Sequence, residues 1–213
     1  FKIEHVRGHH VHVSTPEDAS SARYGQTVFG FIPRAVFMNV KNAFALEAKR
    51  LALKGQSPWS VNNELLVWYG FSWLMGFTAW LIFGSVGMIF FILQGVVAFC
   101  LLETVNYIEH YGLHRRRTQD GRYERVTHQH SWNSNYWLSN LLLFHLQRHS
   151  DHHAFPKRRY QVLRHYEDSP QLPGGYMGMI VLAWVPVLWF RWINPRVQAY
   201  YNGVPEEAVR PKS

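Results

Sequence analysis

The residues best suited to chemistry in this sequence are histidines that recur at helical spacing. Near its C-terminal third the chain reads LQRHSDHHA, which contains His149, His152 and His153. This i, i+3, i+4 pattern places all three rings on one side of an α-helix. Because neutral imidazole is a common ligand of transition metals, the spacing predicts a metal site on a helix.

Two further motifs add imidazoles to the same prediction. In the motif EHVRGHH, His5 and His9 are four positions apart and share a helical face, with His10 beside them. In the motif NYIEHYGL, His110 follows a long apolar stretch, and Gly112 can end that helix. Seven imidazoles are too many for one metal ion and suit two. Isolated surface histidines, or contacts with lipid headgroups or RNA, are the alternatives that the repeated spacing disfavours.

The neighbours of these histidines narrow the type of site without identifying the metal. Structural zinc sites usually have four ligands and are often rich in cysteine, and no cysteine accompanies these motifs. Nitrogen ligands suit iron, zinc, copper or nickel, so the choice among them stays open. We expect Glu4, Glu109 and Asp151 to accept hydrogen bonds from ring N–H groups. A two-metal site beside a membrane indicates redox chemistry on a lipophilic substrate.

The elements that must position the histidines follow from the distribution of charge. No charged residue occurs from Leu65 to Leu102, a run of 38 positions. A membrane-spanning helix needs about 20 apolar residues, so the run predicts a hairpin of two spans. The first is residues 65–83 and the second is residues 86–108, of which 86–102 are uncharged. They join near the glycines of the motif GSVG. The predicted fold is therefore all-α, an integral-membrane helical bundle with a cytoplasmic helical cap that carries the histidines.

The flanks of the apolar run are basic, with eight Lys or Arg in residues 1–60 and ten in residues 110–173. By the positive-inside rule, residues 1–60 and the cap, residues 109–200, lie on the cytoplasmic side. The apolar segment 176–190 is short for a span and contains a proline, so we expect a helix at the interface or docked on the protein. The tail, residues 201–213, is predicted to be disordered.

Length and composition set outer limits on the function. The chain has 213 residues, enough for one domain, and carries 13 histidines and a formal net charge of +8. The charge by itself favours an anionic partner, such as nucleic acid, a lipid headgroup surface or an acidic protein; of these, we expect no nucleic acid. The single cysteine, Cys100, excludes an internal disulfide. The chain shows no signal-peptide pattern and starts close to a motif, so we expect it to be the C-terminal part of something longer.

Together with HSWNSN at residues 130–135, the three motifs closely resemble those of integral-membrane alkane 1-monooxygenases, which belong to a desaturase-like superfamily of non-haem di-iron proteins. The resemblance runs from Glu4 to about Pro195. It implies two iron ions, with an earlier H-E-x-x-H-K-type motif and further helices that this sequence lacks. It therefore implies an N-terminally truncated fragment that is inactive alone. The ligands that it implies here are His5, His9, His10, His110, His149, His152 and His153.

The resemblance also implies a reaction and partners. The reaction is O₂-dependent hydroxylation of the terminal methyl group of a medium-chain n-alkane, in a bacterial inner membrane, with no catalytic residue beyond the metal ligands. Electrons come from rubredoxin, which a reductase supplies from NAD(P)H. Rubredoxins are acidic, so a basic cytoplasmic surface suits docking, although contact with anionic lipid is an equal alternative. The predicted docking residues are Arg115, Arg116, Arg117, Lys157, Arg158, Arg159 and Arg164.

Three alternatives remain at this stage. A related monooxygenase that acts on the methyl group of xylene or toluene is the nearest, and a desaturase is more distant. A membrane metal-binding or transport protein is the third. Transport predicts ionisable residues within the spans, and the uncharged run from Leu65 to Leu102 disfavours it.

Overall fold

The described part of the chain is helical, as the sequence predicts. The computed structural model describes residues 1–203 and 205, and within them β-structure is limited to two isolated bridges. The N-terminal segment consists of α1 (Lys2–Glu4), a π-helical turn (His5–His9) and α2 (His10–His12). The remaining α-helices are α3 (Val28–Ala52), α4 (Glu64–His110), α5 (Trp137–Leu142), α6 (His149–Ala154), α7 (Tyr176–Ala183) and α8 (Pro186–Tyr201). Short 3₁₀ turns occur at His128–His130 and Tyr160–Val162.

One buried carboxylate ties the N-terminal segment to the two long helices. Glu47 on α3 is fully buried, and its oxygens accept hydrogen bonds from Arg7 at 2.8 Å and from Arg50 at 2.6 Å. It also accepts a hydrogen bond from the backbone N–H of Glu64, where α4 begins. A buried carboxylate requires such partners, because an unpaired charge is costly to desolvate. This junction therefore fixes the histidine-bearing N-terminal turn against α3 and α4.

Helix α4 changes direction at Gly84. This residue has φ 64° and ψ −154°, a conformation that glycine adopts without the steric penalty of a side chain. A Cβ placed on Gly76 would lie 3.0 Å from the ring of Phe91, which is fifteen positions further on. In a straight helix those positions are about 22 Å apart. The two arms of α4 therefore fold back on each other, with the break inside the predicted GSVG junction.

The outer surface of α4 is apolar and exposed. Among the described residues, α4 has the length and composition of a membrane span, and the bent pair α7 and α8 meets the same criterion jointly. Large side chains such as Trp73 and Phe90 are about 70% exposed. Soluble proteins rarely expose so much contiguous apolar surface, so α4 supports membrane association. The number of spans, and the side on which the histidines lie, stay predictions.

Helices α7 and α8 cover the end of α4. The chain bends by 119° between them. Pro186 occupies the first turn of α8, where a missing N–H leaves no hydrogen bond unmade. Trp189 of α8 is fully buried against Tyr107 and Tyr111. The apolar segment 176–190 is thus docked on the protein by one face, which is one of the two predicted arrangements. Most of the predicted tail, 201–213, lies outside the described residues.

Candidate metal centre

His110 reaches the site because α4 ends there. The chain leaves the helix at Tyr111, and Gly112 follows with φ 70°, as the sequence predicts for a helix terminator. The N–H of Gly112 donates to the carbonyl of Ala22 at 2.9 Å. The turn therefore anchors the end of α4 to the loop that follows α2, and it directs the His110 ring inward, where it is fully buried.

All seven histidines of the three motifs converge into two adjoining groups. One group has four fully or nearly fully buried rings, and we call it the four-histidine group: His9, His110, His149 and His153. The other has three half-buried rings, and we call it the three-histidine group: His5, His10 and His152. Within each group, the nearest ring nitrogens lie within 4.8 Å of one another.

The spacing of the ring nitrogens fits metal coordination. Nε2 of His153 lies 2.8 Å from Nε2 of His149 and 3.2 Å from Nε2 of His9. In the other group, Nε2 of His10 lies 3.3 Å from that of His5 and 3.2 Å from that of His152. Metal–nitrogen bonds of about 2.1 Å place neighbouring ligand atoms roughly 3.0–3.4 Å apart. The residues present therefore fit one metal ion in each group.

The π-helical turn determines which N-terminal ring joins which group. Its hydrogen bond runs from the N–H of His10 to the carbonyl of His5, five positions back. This wider turn brings the rings of His5 and His10 together, while His9 faces the four-histidine group. The rings of His5 and His9 still stack at 5.1 Å, as helical spacing predicts. A single π-turn at a functional site is a recurrent feature of α-helices, and no pattern in the sequence predicts it here.

Burial keeps most of these rings neutral. It lowers the pKa of His5 to about 3 and that of His10 to about 4, and neighbouring histidines add to both shifts. Burial also lowers the pKa of His149 and of His153 well below the usual range. A neutral imidazole offers the lone pair that a metal ion requires. These four rings therefore need lose no proton on binding a metal near neutral pH.

Asp18 supports His9 from outside the ligand set. Its two carboxylate oxygens lie 3.0 and 2.9 Å from Nδ1 of His9, and both side chains are fully buried. Burial lowers the pKa of His9, but the Asp18 carboxylate more than offsets this and the pKa is raised. Burial raises the pKa of Asp18, but His9 lowers it further, so it lies below its usual range. The contact places a proton on Nδ1 and leaves Nε2 for a metal.

The loop after α2 holds both Asp18 and a second outer contact. The backbone N–H of Ser20 and the hydroxyl of Ser21 donate to Asp18 at 3.0 and 2.6 Å. The hydroxyl of Ser14 donates to the carbonyl of His130 at 2.8 Å, and that carbonyl lies 3.4 Å from Nδ1 of His110. Sequence reasoning missed these partners, because the loop has neither helical periodicity nor a recognisable ligand spacing.

The three predicted outer carboxylates occupy different places. Glu109 is buried, with one oxygen 3.1 Å from Nε2 of His149 and the other accepting from the hydroxyl of Tyr176 at 3.0 Å. Glu4 is buried beside the turn, and burial raises its pKa to about 7, but it has no hydrogen bond to a ring among the described contacts. The prediction that Asp151 orients a ring is wrong. Among the described contacts, its carboxylate accepts hydrogen bonds from Arg158 and not from a histidine.

The predicted docking residues also separate. Arg115 is 7% exposed, and its guanidinium donates to the carbonyls of Glu124 and Val11, so it belongs to the interior and not to a docking surface. Arg158 is committed to the ion pair with Asp151. Sequence position alone could not distinguish these arginines from their neighbours. The exposed members of the predicted set are Arg116, Arg117, Lys157, Arg159 and Arg164.

Comparison with known proteins assigns the chain to a family. The family model described as fatty acid desaturase matches residues 1–183, which include all seven histidines of the two groups. The chain belongs to the fatty acid desaturase family. Membership agrees with the resemblance seen in the motifs, and the buried histidine groups support a metal site in this member of the family.

Curated relatives of this desaturase-family chain carry monooxygenase names. It is 64% identical over 205 residues to alkane 1-monooxygenase 2 of Pseudomonas aeruginosa, covering 95% of this chain and 54% of that protein. It is 45% identical over 202 residues to alkane 1-monooxygenase of Acinetobacter baylyi, covering 95% and 50%. It is 31% identical over 189 residues to the hydroxylase component of xylene/toluene monooxygenase of Pseudomonas putida, covering 88% and 49%. The chain thus spans about half the length of the curated relatives it matches.

Proposed function

We propose that this chain is part of a membrane-bound monooxygenase that hydroxylates the terminal methyl group of medium-chain n-alkanes. The observation that carries the proposal is the pair of adjoining histidine groups at the end of an apolar helix. Relatives that are 64% and 45% identical are named alkane 1-monooxygenases, which supports the same reaction.

The metals that we propose are two non-haem irons, one for each histidine group. An all-nitrogen donor set suits iron among other metals, and it needs no cysteine. The four-histidine group is buried and already has four ligands. The three-histidine group is half-buried and has three, so we expect the two ligands of the earlier histidine motif to complete it. That expectation also explains why the whole protein, rather than this chain alone, is the proposed enzyme.

The proposed reaction balances with external electrons. One alkane, one O₂, two electrons and two protons give one primary alcohol and one water. When bound, the iron pair supplies the oxidation of the unactivated C–H bond by O₂. The residues of this chain orient the site: Asp18 holds the ring of His9, and the carbonyl of His130 lies against the ring of His110. Burial of the four-histidine group excludes water from the reacting atoms.

A lipophilic substrate is consistent with the position of the site. An n-alkane dissolves in the acyl region of a bilayer, and α4 carries an exposed apolar surface as far as Leu102, about two helical turns before its buried end at His110. The substrate can therefore approach along α4 without crossing water. This arrangement supports an apolar substrate, and chain length is a matter for product analysis.

We propose rubredoxin as the electron donor, reduced by its reductase from NAD(P)H. Of the two predicted basic clusters, the one that contains Arg116 shares a pocket with His130, whose carbonyl lies against the His110 ring. A polar pocket of about 300 Å³ is lined there by Arg116, Glu124, His130 and Tyr200, among others. The carbonyl of His130 lies 3.4 Å from Nδ1 of His110. For an acidic donor seated at Arg116, we expect His130 to be the residue between this pocket and the His110 ring.

Product analysis of the complete enzyme tests the proposal. Membranes that contain it, with rubredoxin, reductase and NADH, should convert octane to 1-octanol and consume O₂ in step with the alcohol. The matched control carries His149→Ala, which removes a ring from the four-histidine group. Oxidation of xylene or toluene without octane turnover would favour the other monooxygenase class, for which the 31% identical relative is named. Metal binding without any oxidised product would overturn the enzyme proposal.

A further inference from the structure

Helix α5 and the residues after it expose an apolar surface that the proposed reaction does not use. Trp137 is 75% exposed, Leu141 66% and Phe144 67%, and the neighbouring apolar side chains are exposed as well. We call this set the α5 surface: Tyr136, Trp137, Leu138, Leu141, Leu142, Phe144 and Leu146. Contiguous apolar patches of this kind mark contacts with a membrane or another protein.

We propose that the α5 surface lies in the acyl region of the lipid bilayer, so that the cap has a membrane contact of its own in addition to α4. The sequence predicts a cytoplasmic cap in which the segment 176–190 alone lies at the interface or docked on the protein, and this inference adds α5 to the elements that contact the membrane. It rests on the proposed function in one respect, the expectation that further ligands complete the three-histidine group, but it does not depend on which substrate is oxidised.

The α5 surface is continuous with the membrane-facing helices. The hydroxyl of Tyr136 donates to the carbonyl of Pro173 at 2.9 Å, and the side chain of Ser139 packs against Gly175, directly before α7. Helix α7 in turn packs on the second arm of α4, since Met179 joins the same core cluster as Cys100. The face of α7 that points away from this cluster is also apolar and exposed, with Met177 at 60% and Val181 at 69%. An apolar surface therefore extends from α4 across α7 to α5.

A basic and aromatic rim borders the same surface. The ring of Phe144 packs edge-on against that of Tyr160 at 5.7 Å, and Nδ1 of His145 donates to the carbonyl of Tyr160 at 3.1 Å. This contact joins the α5 surface to the segment that carries the exposed residues Lys157, Arg159 and Arg164. Apolar groups with adjacent tyrosine and basic side chains are typical of elements at the headgroup layer. The second predicted docking cluster is therefore assigned to anionic lipid headgroups.

The position of the two histidine groups disfavours protein as the cover. The three-histidine group, which we expect to receive further ligands, is built by the N-terminal turn and His152. The α5 surface is joined instead to α7, whose Tyr176 bonds Glu109 beside the four-histidine group. Additional protein that completes the three-histidine group is therefore needed beside the N-terminal turn, away from α5 and α7. We infer that lipid covers these two helices.

Depth-dependent fluorescence quenching tests this placement in the complete enzyme. Single cysteines are introduced at Trp137→Cys and Leu141→Cys, in a background with Cys100→Ala and any other cysteine replaced, and labelled with bimane in lipid nanodiscs. Phe90→Cys on α4 is the lipid-facing control, and Gln119→Cys in an exposed turn of the cap is the aqueous control. Lipids brominated on their acyl chains quench a label in the bilayer, and iodide quenches a label in water. The iron content of each labelled variant reports whether it has folded.

We expect the labels at positions 137 and 141 to lose fluorescence to brominated lipid as strongly as the label at position 90, and to resist iodide. Iodide quenching equal to that at position 119 would overturn the proposal, because the surface would then face water. Resistance to both quenchers would also overturn it, because protein would then cover the surface. Two labelled positions keep the test decisive if one variant fails to bind iron. None of these outcomes depends on turnover, so a failed hydroxylation assay and a failed placement are distinguishable.

Discussion

Nδ1 of His9 lies within 3.0 Å of both carboxylate oxygens of Asp18, and solvent reaches neither side chain. The pair joins a loop without regular structure to one ring of the four-histidine group. Because Ser20 and Ser21 hold the carboxylate in turn, the orientation of the His9 ring depends on the loop as well as on the helix.

Asp18→Asn should weaken metal binding more than it weakens folding. The amide keeps the size of the side chain but removes the charge that favours the Nδ1–H tautomer, and loss of such partners typically lowers metal affinity about 10–100-fold. Competition with a chelator for iron(II) in the complete enzyme measures the effect. The matched control is Asp168→Asn. The Asp168 carboxylate lies 2.8 Å from Nε2 of the partly exposed His128, and this pair belongs to neither histidine group. Equal affinities in the two variants would exclude an orienting role for Asp18.

Gly8→Ala should disturb the π-helical turn. A Cβ on Gly8 would lie 2.6 Å from Oε1 of Glu4, so the buried Glu4 side chain would have to shift. Overpacking of this kind typically destabilises by about 1–3 kcal/mol. The melting temperature and the iron content of the variant should both fall. Gly30→Ala is the matched control, because its Cβ would meet only Thr27 Oγ1 at 3.6 Å. Recovery in the double variant Glu4→Ala, Gly8→Ala would identify Glu4 as the obstacle, and a wild-type melting temperature in Gly8→Ala would contradict the packing.

Gly87→Ala should loosen the contact between the two arms of α4. A Cβ there would lie 2.5 Å from the carbonyl oxygen of Ala79, which is backbone and cannot rotate away. We expect a loss of about 1–3 kcal/mol, seen as a lower midpoint of thermal unfolding in detergent. Gly95→Ala lies in the same helix with open space around it, and it should be tolerated. The hairpin geometry is contradicted if the two variants unfold at the same temperature.

The sequence predicts those parts of the site that depend on regular spacing. The i, i+3, i+4 pattern of His149, His152 and His153 does form one helix, and His110 does end another. The uncharged run predicts two apolar arms, and the chain does break at Gly84.

Features set by tertiary contacts were out of reach of the sequence. The π-turn depends on how Glu4 packs over Gly8, and the role of Asp18 depends on a loop that folds back onto His9. Arg115 and its neighbour Arg116 are indistinguishable in sequence, yet one is buried among carbonyls and the other is exposed. The partition of seven rings into two groups likewise exists only once the three segments have come together.

Arg116→Glu should raise the rubredoxin concentration needed for half-maximal turnover. Charge steers the encounter of an acidic donor with this surface, and salt weakens such steering because the screening length falls from roughly 10 Å at 0.1 M to about 3 Å at 1 M. The difference between variant and wild type should therefore shrink at high salt. The matched control is Lys157→Glu with Arg159→Glu, which alters the cluster assigned to lipid and should leave rubredoxin dependence unchanged in correctly inserted enzyme. The reverse pattern would place the donor at the second cluster.

The central claim is that the seven histidines form two separate metal sites, and iron counting in single variants tests it most directly. Purified complete enzyme should hold two irons per chain by elemental analysis. His149→Ala and His10→Ala should each lose about one iron, because they remove a ring from different groups. His12→Ala, an exposed ring in the same N-terminal segment, should keep both. One iron in the wild type, or loss of none in either ligand variant, would contradict the two-group account.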